Sequence, residues 1–117
     1  MSDRITILRG NKKDFVLSLK QNGVAYTGLS GVEKVTVAIG PSGSKTTNAI
    51  LYNNIDHPTK VEIDIPEVGD VFVHLSSLDT DLELTEYDVA VQCKLDQTNN
   101  EEWEKESAIL VKQDRIV

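Results

Sequence analysis

The chain has 117 residues, which suits a single domain with a modest core. Hydrophobic residues are 39% of it and charged residues 26%, which excludes a disordered chain, and no apolar run approaches the ~20 residues of a membrane-spanning helix. A formal net charge of −7 argues against nucleic acid, which asks for a basic face, and favours solubility and a basic protein surface as partner.

The opening "MSDRITILRG" lacks the apolar stretch of a secretory signal, and the single Cys93 has no partner for an internal disulfide. Both lead to the expectation of synthesis and folding in a cytoplasm. Period-two alternation then runs through most of the sequence. After a short strand at 4–9, "DFVLSLK" (14–20) places Phe15, Leu17 and Leu19 on one face. "QNGV" (21–24) carries Asn-Gly, the pair that accepts the positive φ of a type I′ hairpin, and leads into a short strand at 24–27. Beyond the break "TGLSG" (27–31), "KVTVAIG" (34–40) aligns Val35, Val37 and Ile39. A strand is expected at 48–53 and another at 60–66, where Val61, Ile63 and Ile65 point inward and Glu62 and Asp64 outward. "VFVHLS" (71–76) aligns Val71, Val73 and Leu75 and leaves Phe72 and His74 opposite the core face. "SSLDTDLELTE" (76–86) is the nearest approach to a helix, a single turn crossing between sheets with Leu78, Leu82 and Leu84 as anchors. "YDVAVQCKL" (87–95) is the cleanest alternation, with Tyr87, Val89, Val91, Cys93 and Leu95 on one side, and a last strand is expected at 103–112.

About eight short strands with turns at intervals of ~8–12 residues predict one all-β domain over 1–117, an Ig-like antiparallel β-sandwich. "LELTEYDVAV" (82–91) fits a tyrosine corner, in which a Tyr opening a late strand bonds back to the preceding loop. The Cys–Trp–Cys pattern of antibody domains is missing.

Three motifs resemble chemistry and fail on spacing. In "GPSGSKTT" (40–47) two residues separate Gly40 from Gly43, and Ser44 stands between Gly43 and Lys45. A phosphate loop needs four residues before Gly-Lys and must open a helix, whereas "TTNAILY" has strand character. "PSG" is a hairpin turn. "DTDLE" (79–83) has the alternating acids of a calcium loop, but positions six and twelve from Asp79 are Leu84 and Ala90 in place of Gly and Glu, so a solvated loop is expected. His57 and His74 have no Cys or second His at metal spacing, and no Gly-x-Ser-x-Gly elbow occurs. No catalytic residue, cofactor or metal is expected. Trp103, among Glu101, Glu102 and Glu104, either caps the sandwich or anchors a partner.

Residues 5–39 carry a resemblance. Arg9-Gly10-Asn11 come after an apolar strand, Phe15 opens the next, then come Asn22-Gly23, Tyr26, Leu29-x-Gly31 and a third alternating strand. The pattern resembles the Ig-like module of tailed-bacteriophage virion proteins, such as the N-terminal domain of the phage baseplate upper protein. "YDVAVQCKL" and "SAILVKQDRIV" resemble the end of that module. The resemblance implies a non-enzymatic virion structural protein, made in the host cytoplasm, that docks on capsid, neck or tail proteins and self-associates in some arrangements. Because the chain stops with the module, capsid decoration or head–tail joining is expected first. A tail or baseplate component, or an Ig-like module binding host-surface carbohydrate, is the alternative. Arg4, Arg9, Trp103 and Arg115 are the expected partner contacts, on the two chain ends and the acidic late segment.

Overall fold

The structure, a computed structural model, describes residues 5–21, 23–42, 48–83, 85–95 and 100–112, the last as the course of the main chain. Its strand segments in chain order are β1 (Ile5–Leu8), β2 (Lys13–Ser18), β3 (Lys20–Gln21), β4 (Val24–Ala25), β5 (Lys34–Pro41), β6 (Ile50–Asn53), β7 (Val61–Glu62), β8 (Asp70–Leu75), β9 (Glu86–Lys94) and β10 (Asn100–Lys112). Short 3-10 turns at Gly28–Gly31 and Pro66–Val68 complete the described elements.

One sheet has the order β1-β10-β9-β5-β6 and the other β2-β8-β7, with β3 and β4 forming a two-stranded ribbon. This is an all-β sandwich of Ig-like order: the second and eighth strands pair away from the fifth, ninth and tenth, so successive elements cross between layers. The alternation seen in the sequence is what builds it. On β9 every second residue from Tyr87 to Cys93 is buried, and on β8 Val71, Val73 and Leu75 are buried. They meet Val35, Val37 and Ile39 of β5 in one core. One pair departs from the antiparallel expectation. Because β1 runs parallel to β10, with Ile5 opposite Ile109, the first strand joins the five-stranded sheet and leaves the edge of β2 without it.

The strand expected at 60–66 is only two residues long. Pro66 opens a 3-10 turn, and the chain leaves the sheet after Glu62, so Ile65 is 53% exposed rather than inward. That turn ends at Gly69 with φ +75°, where a Cβ would come within 2.7 Å of the Tyr26 carbonyl oxygen and 2.8 Å of the Leu19 carbonyl oxygen. Pro41 closes β5 rather than a turn, Ser42 starts the turn beyond it, and 43–47 lie outside the described residues. In the segment 76–83 a single hydrogen-bonded turn does form, with Thr80 N–H donating to the Ser76 carbonyl at 3.2 Å. Its expected anchor Leu78 is 85% exposed, however. The turn is held by polar groups, with Leu82 half-buried against the core and Leu84 outside the described residues. Tyr87 makes the expected corner, donating its hydroxyl to the Glu83 carbonyl at 3.0 Å. Burial, with the Glu83 charge beside it, pushes the Tyr87 phenol above its ordinary pKa.

Candidate functional site

Of the four expected contact residues, Arg4 and Arg115 lie outside the described residues, and Trp103 is placed only by its main chain, opposite Val91 in the β9–β10 ladder. Arg9 is described, and its side chain is engaged within the fold. It stands in the turn between β1 and β2, where its Nε donates to Asp81 Oδ1 at 3.0 Å. The same turn is riveted a second time: buried Thr80 donates its hydroxyl to the Asn11 carbonyl at 2.7 Å, and Gly10 N–H donates to the Thr80 carbonyl at 3.3 Å. "DTDLE" is thus no solvated loop at its first acid. Asp79 is 11% exposed and sits at the centre of a polar clasp.

The clasp arises from local sequence. Ser76-x-x-Asp79 forms a reciprocal pair at the start of the turn: Asp79 N–H donates to Ser76 Oγ at 3.2 Å, and Ser76 N–H donates to Asp79 Oδ2 at 2.8 Å. Tertiary partners then converge on the same carboxylate. Lys60 Nζ donates to Oδ2 at 2.7 Å, and the Tyr52 hydroxyl donates to Oδ1. Lys60 Nζ also lies 5.5 Å from the Tyr52 ring centroid, and the His57 ring packs on Tyr52 at 4.8 Å. Burial alone would raise the pKa of Asp79, but the donors from Lys60, Tyr52 and Ser76 outweigh it and hold the carboxyl at about 2. The hydrogen bond to Asp79, with burial, pushes the Tyr52 phenol up to about 12. Such a carboxylate stays charged and fully engaged at neutral pH, which suits a structural tie between the sheets.

On the outer face of the three-stranded sheet, His74 does face outward and is flanked by two carboxylates. Its Nδ1 lies 2.9 Å from Asp14 Oδ1 and its Nε2 lies 3.4 Å from Glu62 Oε1. They border an open depression of about 390 Å³ that Lys12, Lys60 and Ser76 also line. The two acids occupy opposite ring nitrogens, so they do not converge on one point with the imidazole. Among the described residues no group of three His, Cys, Asp or Glu side chains is arranged to hold a metal ion.

The sheet edges differ in a way that bears on contact. In the β5–β6 ladder the Asn54-to-Val35 bond sets the phase, so Leu51 and Asn53 turn their main-chain groups outward. Asn53 is covered at once: its N–H donates to His57 Nδ1 at 3.2 Å and its carbonyl accepts from His57 N–H at 2.9 Å. In the β2–β8 ladder the Leu19-to-Gly69 bond sets the phase, so Asp14, Val16 and Ser18 turn their main-chain groups away from the sheet. Among the described residues no strand pairs with that side of β2. Periodicity alone could not reveal this edge, since it depends on β1 joining the opposite sheet. The Ser76-x-x-Asp79 spacing was the available signal for the clasp.

No family model matches the sequence, and no curated protein matches it. No helix among the described residues is long and apolar enough to cross a membrane. The class that the fold defines is an all-β sandwich with an Asp79-centred clasp and, among the described residues, an outer side of β2 with no partner strand.

Proposed function

We propose that this chain is a non-enzymatic structural protein of a tailed-bacteriophage virion, an accessory module that docks on capsid, neck or tail proteins. One observation carries the reading: the residues that resemble the virion module hold positions on which this sandwich depends. Gly10, with φ +82°, makes the turn from β1 into β2. Gly23 has φ +78°, as the Asn-Gly turn demands, although Asn22 lies outside the described residues. Tyr26 and Leu29 are buried. These positions support the resemblance because the turns and the core both depend on them. A rigid sandwich on a repeating lattice needs only weak single contacts, because many copies act together. With Arg9 engaged to Asp81, the terminal strands of the sheets are better docking features than that side chain.

Quantitative mass spectrometry of purified virions tests the proposal. A fixed copy number per particle is expected, large for a capsid-lattice protein and small for a neck, tail or baseplate part. Its absence from particles overturns the proposal and moves the carbohydrate-binding reading forward.

A further inference from the structure

The open side of β2 has a chemistry that selects its occupant. The strand has no proline or bulge along it, and Val16 is 45% exposed on its outer face. On its inner face Phe15 packs against the core yet remains half-buried, beside the side where a further strand would lie. Past β2, Leu19 still bonds to Gly69 and then accepts from Tyr26 N–H at 2.9 Å, so β4 continues on the same side as β8. Among the described residues no strand therefore pairs with one side of β2, over Asp14–Ser18, and the chain continues straight into Lys20.

We propose that a second copy of this chain pairs with β2 edge to edge, antiparallel, fusing two three-stranded sheets into one. Outward-turned residues must meet outward-turned residues, which leaves two registers that use the whole edge. A twofold axis on Val16 sets Lys12 against Lys20 of the second copy, a like-charge pair. An axis on Leu17 sets Asp14 opposite Lys20 of the second copy, twice by symmetry, and Val16 opposite Ser18. On the inner face the same register sets Leu19 of the second copy, itself buried in its own core, across from Phe15. Charge complementarity selects the Leu17 register. The edge is short against the interface of a permanent dimer, so the association is weak and reversible. The inference is independent of where the protein sits on a particle, because it concerns the purified chain alone.

Sedimentation equilibrium of the full chain, from roughly 10 µM to 1 mM, reads it directly. A monomer–dimer equilibrium is expected. Asp14→Lys and Lys20→Asp should each weaken the dimer about tenfold, since each creates two like-charge pairs, and the double exchange should restore it to within about threefold. Val16→Pro removes an outward N–H but none that serves the β2–β8 ladder, so it should abolish the dimer while circular dichroism and melting stay near those of the parent. If that variant does not fold, the charge exchange decides. Monomer mass across the whole range overturns the proposal. So does a dimer indifferent to the exchange, or one that a folded Val16→Pro leaves intact.

Discussion

At β6 the five-stranded sheet ends in a turn that folds back on its own strand, while at β2 the three-stranded sheet ends in a ladder whose outer side has no partner among the described residues. Both are edge strands of similar build, alternating and free of bulges. They differ in the chain that surrounds them. After β6, Asn53 is capped from every side: its Oδ1 accepts from Ile55 N–H at 2.9 Å and Asp56 N–H at 2.7 Å, and its main chain is taken by His57. Beside β2 the natural neighbour, β1, has gone to the other layer. An edge is thus closed by a local turn or left open by topology, and only the first of these is a property of nearby residues.

The comparison holds only if the sheets differ at their edges and share one core. Ile39 of β5 and Leu75 of β8 are fully buried in that core. Ile39→Ala and Leu75→Ala should each cost roughly 2–5 kcal/mol in urea unfolding, with a single transition for both. A loss below about 1 kcal/mol for Leu75→Ala, or a separate early transition, would break the picture of a common core.

Gly69 joins the short 3-10 turn to β8, where the Leu19 and Tyr26 carbonyls leave a Cβ no room. Gly69→Ala adds left-handed strain to a backbone collision and should cost about 2–3 kcal/mol. Gly23→Ala is the control: φ is +78° there but nothing lies within 4 Å, so about 1 kcal/mol is expected. Equal losses would mean that the close approach at Gly69 relaxes freely.

The Asp79 clasp lies at the closed side of the comparison, since Tyr52 belongs to β6. A folded-state pKa of about 2, below the ordinary 3.8, means that ionised Asp79 stabilises the fold fully once the pH is above 3.8. That stability is lost as pH falls from 3.8 toward 2. The shift corresponds to about 2 kcal/mol. Asp79→Asn should therefore lower stability by about this amount at pH 7 and flatten the acid limb of stability between pH ~4 and ~2. An unchanged acid limb would remove the clasp as its cause.

Much of the sandwich was legible because its signal is local. Alternation on β5, β8 and β9 needs only the side-chain period of two, and the Tyr87 corner needs only a hydroxyl four residues from its acceptor. What was not legible depends on distant chain. Ile65 reads as inward until Pro66 pulls the strand off the sheet, and Leu78 reads as an anchor until Ser76, Asp79 and Thr80 hold its turn. Arg9 reads as a free surface cation until Asp81, far along the chain, arrives beside it. Asp79 could have been found, because Ser76-x-x-Asp79 is a capping spacing, but its partners Tyr52 and Lys60 come from other elements. The open side of β2 was invisible for the same reason: no residue in β2 records that β1 pairs elsewhere.

A substitution with a small predicted effect on stability bears most on the edges. His57 closes β6 by accepting from Asn53 N–H, while its own N–H bonds the Asn53 carbonyl through the main chain and survives substitution. His57→Ala removes one acceptor and the ring contact with Tyr52, a loss of about 1 kcal/mol. Its larger consequence is at the edge. Asn53 N–H turns free next to the main-chain groups of Leu51, so β6 comes to resemble β2, with an exposed leucine beside the new opening. Sedimentation should then show association beyond a dimer, because β6 would add an open edge on the other sheet, and Val16→Pro should no longer reduce the protein to monomer. If His57→Ala melts slightly lower but associates no more than the parent, the turn is a stabilising detail rather than a guard. Openness of an edge would then depend on strand length alone, with six residues in β2 against four in β6.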